Sequence, residues 1–178
     1  ECVVVVIVTV DHEDGTIVNG PEVITKGWVY APEAEELLDE CRQHIAKLVQ
    51  NALDKVRMDT TGKLVGVYLP PGDYRTSNKF QVYGKAVKVL GAGPWVSRFT
   101  TPPDPENTDA GFDVQATANG SSFSGFGLFG NYTARNDGPG KVFDWSKVSD
   151  MTVDNIWTEH MMCLYWGTDT DRITIKNS

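Results

Sequence analysis

Apolar and polar residues alternate in the same order at two places near the C-terminal end of the chain. Residues 151–155 and 173–177 both read apolar, Thr, apolar, charged, Asn, and they are 22 residues apart. The alternation puts the apolar side chains on one face of a strand, and the Asn suits a tight corner because it tolerates a left-handed backbone. Such a step is typical of one coil of a parallel β-helix, although two unrelated strands of similar sequence are the alternative.

Residues 1–60 show a different pattern, which predicts a small α+β segment. Residues 2–10 are mostly β-branched and predict a strand buried on both faces, and a second strand is predicted within residues 16–30. Pro32 suits the first turn of a helix, and apolar residues then recur at helical spacing as far as Val56. We therefore expect two strands and one long helix, followed by a mainly β region over residues 61–178.

The β region contains several further strand candidates. Residues 65–69 are apolar and run into a Pro-Pro-Gly turn, and strands are also predicted near residues 87–90 and 112–114. Residues 123–129 are a further strand candidate, in which Phe123, Phe126 and Phe129 form an aromatic stripe. We interpret this stripe as core stacking, with a sugar-binding platform as the alternative.

Composition narrows the partners and cofactors that the chain could have. The net charge of −8 argues against nucleic acid as a partner of the β region but is compatible with a neutral polysaccharide. Cys2, Cys41 and Cys163 are widely separated and the histidines are dispersed, so we expect no disulfide framework, metal centre or cofactor. The apolar run at residues 3–10 is too short to cross a bilayer, so no membrane partner is predicted.

The densest cluster of candidate binding residues lies in the segment that joins the two matched strands, which we expect to be a turn. Aromatic faces stack on sugar rings and carboxylates bind sugar hydroxyls, so this mixture suits a saccharide groove. The alternative is that Met161, Leu164 and Trp166 fill the interior while Glu159 and Asp169 face water. The predicted substrate-binding residues are Trp157, Glu159, His160, Trp166, Asp169 and Asp171.

The first 50 residues carry a family resemblance. The order VVVVIVTVDHEDGTIVNGPEVITKGWVYAPEAEELLDECRQHIAKLV resembles the start of the C-terminal domain of bacterial ribonuclease J. The metal-binding catalytic motifs of that enzyme would precede Glu1, and no HxHxDH occurs here. The resemblance therefore implies a scaffold or subunit-contact role, with possible self-association through residues 1–60, and a cytoplasmic parent protein.

A second resemblance covers residues 65–178. VYLPPGDY resembles the opening strand of pectate-lyase-like β-helix proteins, and DNIWTEHMMCLYWGTDTDRITIKNS resembles the catalytic β-helix of the mycodextranase and α-1,3-glucanase glycoside hydrolases. This resemblance implies an incomplete right-handed parallel β-helix, an α-glucan substrate and an exported protein. Such enzymes use paired acids at the glycosidic bond, and the family's catalytic aspartates are expected beyond Ser178. No catalytic residue is assigned here.

The two resemblances leave three functional readings open. The first is a fragment of an α-glucan-degrading glycoside hydrolase that is inactive alone. The second is a non-catalytic carbohydrate-binding or scaffold module, and the third is a ribonuclease J-related assembly domain. A join near residues 55–64 would explain both resemblances, and in the alternative the first 60 residues form the capping end of the β-helix.

Overall fold

A computed structural model describes residues 8–11, 47–76, 78–101, 110–132 and 140–178. Residues 47–58 of this part form the α-helix α1, and a short 3₁₀ helix spans Ala116–Ala118. The second predicted strand and the start of the predicted helix lie outside the described residues. The strands, in chain order, are β1 Val8–Asp11, β2 Leu64–Leu69, β3 Gly72–Arg75, β4 Lys79–Val82, β5 Lys88–Gly91, β6 Ser97–Thr100, β7 Gly111–Val114, β8 Ser122–Ser124, β9 Gly127–Phe129, β10 Lys141–Ser146, β11 Thr152–Asp154, β12 Trp157–Glu159, β13 Cys163–Thr168 and β14 Thr174–Lys176.

The strands form three sheets that the chain visits in turn. Sheet A has the order β1-β2-β5-β8-β11-β14, sheet B the order β3-β6-β9-β12, and sheet C the order β4-β7-β10-β13. All neighbours pair in parallel except β1, which is antiparallel to β2. We call one passage through sheets A, B and C a circuit. The mainly β prediction is confirmed, and the circuits have three strands each.

The predicted 22-residue repeat is one of these circuits. Thr152 pairs with Thr174 and Asp154 with Lys176, while Asn155 and Asn177 both have positive φ values, 52° and 53°. The prediction of two matched strands with Asn corners is therefore confirmed. The prediction that the segment between them is a turn is wrong. This segment contains β12 and β13, one strand for each of the other two sheets.

Aromatic side chains fill the space enclosed by the three sheets. Phe112 is fully buried, and its ring centroid lies 4.9–6.1 Å from those of five other phenylalanines. In-register pairing places Phe80, Phe112, Phe143 and Tyr165 at one level of sheet C, so their rings meet inside the protein. Two of the three phenylalanines in the predicted stripe belong to the core. Phe123 and Phe126 are fully buried, whereas Phe129 is only half-buried.

Helix α1 packs at the start of this core. Val49, Ala52, Leu53 and Val56 are buried and belong to the same apolar cluster as Val67 of β2, as the helical spacing predicted. Burial of such a face supplies most of the stability of a short helix in a protein. Burial in this apolar cluster therefore holds the helix in place.

Polar contacts fasten the C-terminal end of α1 to the first circuit. The Lys85 ammonium donates to the carbonyls of Val56 and Leu64, at 3.3 and 2.9 Å. The Asp59 carboxylate accepts hydrogen bonds from the Thr61 hydroxyl at 2.6 Å and from the Leu64 backbone at 3.0 Å. These contacts satisfy carbonyls that a helix end leaves without intrahelical partners. The boundary predicted at residue 60 falls inside this bonded turn, and two separate domains remain a proposal.

Trp145 joins the second and third circuits across a short ladder. Strands β7 and β10 have one aligned pair, Phe112 and Phe143, whereas β4 and β7 have four. The buried Trp145 Nε1 donates to the Phe112 carbonyl at 3.1 Å. The indole thus adds a hydrogen bond where the backbone ladder is shortest.

Replacing Trp145 tests this bond. Trp145→Phe removes the donor and leaves the buried Phe112 carbonyl without it, so we expect a loss of about 1–3 kcal/mol in the free energy of unfolding. Urea-induced unfolding measures the loss. The matched control, Trp166→Phe at a half-exposed site, should change stability by less than about 0.5 kcal/mol. Equal losses in the two variants would contradict a special role for the Trp145 bond.

Acid should weaken the turn at Asp59. Its hydrogen bonds, first that from Thr61 and then that from Leu64, hold the pKa of the Asp59 carboxyl well below its usual value. The unfolded chain therefore binds more protons, so this contribution is full above about pH 4 and is lost as the pH falls. We expect Asp59→Asn to reduce the fall in stability on acidification, and Thr61→Val to reduce it less. Urea midpoints measured across this pH range check the order, and identical slopes in all three proteins would refute it.

Candidate functional site

The outer face of sheet B carries an aromatic surface. Tyr74, Phe99 and Leu128 align across the sheet and point inward, where all three are buried. Neighbouring positions in each strand must point outward because side chains alternate along a strand. One outward row therefore contains Asp73, Arg98, Gly127 and Trp157, which pair in register.

Trp95, Phe129 and Trp157 lie together on this face, and we call them the tryptophan platform. The ring centroids of Trp95 and Trp157 are 5.0 Å apart with planes inclined at 43°, and those of Trp95 and Phe129 are 5.9 Å apart. Trp95 is 56% exposed and Trp157 is 44% exposed. Three adjoining aromatic rings, two of them open to solvent, differ from the singly scattered apolar residues of an ordinary surface.

Gly127 makes room for the platform. A Cβ atom at this position would lie 2.3 Å from the Pro94 carbonyl oxygen and 2.7 Å from Cε2 of Phe129. Any side chain here would therefore displace the segment that carries Trp95 or the Phe129 ring itself. Glycine is therefore required at position 127 by this surface and not by the interior.

Polar side chains border the platform on both sides. The Trp157 indole Nε1 donates to a Glu159 carboxylate oxygen at 2.9 Å. On the other side Arg98 binds Asp73 with two hydrogen bonds, of 2.7 and 2.8 Å, and its guanidinium lies 6.0 Å from the centroid of Phe129. The surface thus has apolar rings at its centre and charged groups at its rim.

A second group lies on the outer face of sheet C. Trp166 is 50% exposed and aligns with Asp144, and the Lys141 ammonium lies 4.7 Å from the centroid of the Trp166 ring. Asp144 is 3.3 Å from the Lys141 nitrogen and 3.8 Å from that of Lys79. Trp166 therefore belongs to an outer surface, and the alternative that it fills the interior is wrong, whereas Met161 and Leu164 do pack against the core.

The remaining predicted residues stand at corners. His160 and Asp169 are exposed and have positive φ values, 51° and 53°. Asp171 is also exposed and forms an ion pair with Arg172, whose guanidinium additionally donates to Asp150 at 2.9 Å. The hydrogen bond from Arg172 lowers the pKa of Asp150. This corner is a charge-paired cluster.

The six predicted residues thus lie on two sheets and at two corners: His160 follows β12, and Asp169 and Asp171 follow β13. Trp157 and Glu159 are brought into contact, Trp166 lies on another sheet, and the others are on corners. Sequence reasoning missed Trp95 and Arg98. The pairing that places Trp95 beside Trp157 follows from circuits of unequal length, and a search at a fixed spacing does not reveal it.

Four of the described aspartates bond to cationic or amide side chains. Asp73 is paired with Arg98 and Asp144 with lysine, and the pKa values of Asp150 and Asp154 are both lowered, by hydrogen bonds from Arg172 and Asn177. A general acid needs a raised pKa to hold its proton near neutrality. Among the described residues no group of three His, Cys, Asp or Glu side chains could hold a metal ion. In the same part of the chain no helix is both long and apolar enough to span a membrane.

Comparison with known proteins identifies the family of the chain. The chain belongs to the family described as alpha-1,3-glucanase catalytic domain D2, whose model matches residues 41–178. A catalytic domain of GH87 alpha-1,3-glucanase in complex with nigerose is 42% identical and superposes with a TM-score of 0.68. A variant of such a domain in complex with tetrasaccharides gives the same values. In both cases 72% of this chain is covered, and it spans 23% of the length of those chains.

The N-terminal part matches a different family. The model of the ribonuclease J C-terminal domain matches residues 1–65. Ribonuclease J 2 of Staphylococcus epidermidis is 36% identical over 55 residues, and that of Staphylococcus aureus is 33% identical over the same length. Each match covers 31% of this chain and 10% of the ribonuclease. Both predicted resemblances are therefore confirmed, and the two family models overlap over residues 41–65.

Proposed function

We propose that this chain is part of a glycoside hydrolase that acts on α-glucan, and that its β region is an incomplete right-handed parallel β-helix. Its family membership and its 42% identity to alpha-1,3-glucanase catalytic domains that hold nigerose or tetrasaccharides support this function. Three parallel sheets visited in turn support the architecture. The right hand follows the strong general preference for right-handed crossovers between parallel strands.

The proposed position of the glucan rests on two exposed tryptophans. Trp157 and Trp166 stand on consecutive strands of one circuit, β12 and β13, and each is about half exposed. An exposed indole loses little conformational entropy on binding and offers a broad apolar face to the C–H side of a sugar ring. We propose that the two tryptophans contact the glucan, with Glu159, His160, Asp169 and Asp171 binding its hydroxyls.

We assign no catalytic role to the described carboxylates. Hydrogen bonds from Arg172 and Asn177 lower the pKa values of Asp150 and Asp154, which opposes proton donation by these two carboxyls. Asp73 and Asp144 form ion pairs with Arg98 and Lys141. We therefore propose that the chain alone binds glucan without cleaving it. A non-catalytic carbohydrate-binding module is the alternative reading. The parent hydrolase would act outside the cell, because α-glucan of this kind is an external polymer.

A depletion assay with insoluble α-1,3-glucan tests this function. The 178-residue chain should bind the polymer, bind cellulose much more weakly, and release no reducing sugar. Trp166→Ala should weaken binding by about three- to tenfold, because one stacked aromatic contributes about 0.5–1.5 kcal/mol. Failure of the unmodified chain to bind refutes the proposal, and release of reducing sugar refutes the proposed inactivity.

The ribonuclease-like match supports a second candidate, an assembly role for residues 1–60. Its support is the identity of 36% over 55 residues to Ribonuclease J 2 of Staphylococcus epidermidis. If this role holds, the whole chain should form dimers as its concentration rises in sedimentation equilibrium. A constant monomer mass over the accessible concentrations would remove this candidate and leave the helix and β1 as a cap of the first circuit.

A further inference from the structure

We propose that the tryptophan platform is a second contact surface for the glucan chain that also contacts Trp166, and that it takes pyranose rings of a neutral α-glucan. The proposal rests on the proposed function for the polymer's identity. Its residues differ in place, because Phe129 and Trp157 lie on sheet B, with Trp95 in the turn that precedes β6, whereas Trp166 lies on sheet C. It also adds Trp95 and Phe129, which come from the second and third circuits.

The platform is rigid before any ligand arrives. The segment carrying Trp95 is fixed by backbone hydrogen bonds from Val96 and Ser97 to the Gly93 carbonyl, at 3.1 and 2.9 Å, and from Gly72 to the Val96 carbonyl at 2.6 Å. Trp157 is held by its strand and by the bond from its Nε1 to Glu159. Rings that are already positioned lose little entropy on binding, so their contact surface contributes more to affinity.

The charges at the rim favour a neutral, hydroxyl-rich ligand. Arg98 and Asp73 neutralise each other through two hydrogen bonds, and the Glu159 carboxylate is committed to the Trp157 indole. Because the indole donor is neutral, this bond does not cancel the charge of the carboxylate, and the rim has no unbalanced positive charge that would attract an anionic polymer. Sugar hydroxyls can bond to these polar groups as the rings stack on the indoles.

The inclination of the two indoles suits a polymer that turns between units. The two ring planes are inclined at 43° and the ring centroids are 5.0 Å apart, so the indoles do not form one flat surface. An α linkage leaves the sugar ring axially and changes the direction of the chain from one ring to the next. Two inclined faces can therefore contact successive rings that a flat surface would contact only one at a time.

A double-mutant cycle on the 178-residue chain tests the proposal, with insoluble α-1,3-glucan as the probe. Trp95→Ala and Trp157→Ala should each weaken binding by about three- to tenfold, whereas the folded state should persist because both side chains are exposed. Gly127→Ala, which keeps every aromatic residue, should weaken binding similarly by displacing Trp95 or Phe129. Circular dichroism and the urea midpoint of each variant establish that it is folded.

Pairs of substitutions separate the two surfaces. Trp95→Ala combined with Trp157→Ala should weaken binding by less than the product of the single effects, because both remove one platform. Trp95→Ala combined with Trp166→Ala should give the full product, because the two residues act on different sheets. Affinity should also stay within about twofold when NaCl is raised to about 1 M, since no ion pair with the ligand is formed.

The outcomes distinguish this inference from the proposed function. If the unmodified chain does not bind the glucan, both fail. If it binds and Trp166→Ala weakens binding while folded Trp95→Ala and Trp157→Ala variants bind normally, the function stands and the platform is refuted. A tenfold loss of affinity in high salt would refute the neutral-ligand part, and it would point to a charged partner on this face.

Discussion

In-register pairing of parallel strands is the interaction on which the rest of this structure depends. It brings the same position of each circuit into contact with its counterparts, so a ring that points inward in one strand meets the rings of its neighbours. Phe80, Phe112 and Phe143 meet in this way in sheet C, and Tyr74 and Phe99 meet in sheet B. The enclosed space can be filled only if successive circuits supply compatible volumes at each level.

The same pairing builds the outer surfaces. Residues far apart in sequence become neighbours when they occupy equivalent outward positions, as Asp73 and Arg98 do on sheet B. Trp157 continues the same row beyond Gly127, and Trp95 covers the space that the glycine leaves. A surface suited to a polymer therefore arises from the repeat itself, since each circuit adds another position along the direction in which the circuits stack.

The sequence predicts the features that depend on local pattern. The 22-residue repeat, its left-handed Asn corners and the buried face of α1 all follow from spacing and residue type. Circuit length does not follow, because the aligned residues Gly66, Lys88, Ser122, Thr152 and Thr174 are 22, 34, 30 and 22 residues apart. The repeat cannot be recognised in the longer circuits, because their spacing differs. The segment from Phe123 to Phe129 is therefore predicted as one strand. In the structure Gly125 turns the chain between two strands that belong to two sheets.

The candidate site shows the same limit. Type and spacing select Trp157, Glu159 and Trp166, but the sheet to which each belongs depends on a three-strand circuit that two short repeats do not reveal. Phe129 follows the inward-pointing Leu128 in β9, so alternation along the strand places its ring on the outer face although Phe123 and Phe126 are buried. Trp95 has no equivalent residue in the two matched segments of the repeat. Its contact with Trp157 is therefore seen only in the folded chain.

The buried bond from Trp145 to the Phe112 carbonyl bears on how this protein unfolds. In a stacked array each unit contacts only its neighbours, so the array can come apart at its weakest interface and leave the remainder intact. Between the second and third circuits, sheets A and B each have three aligned pairs, whereas sheet C has one, and there the indole adds a hydrogen bond. Trp145 therefore opposes separation of the two circuits on the sheet where the backbone joins them by the fewest pairs.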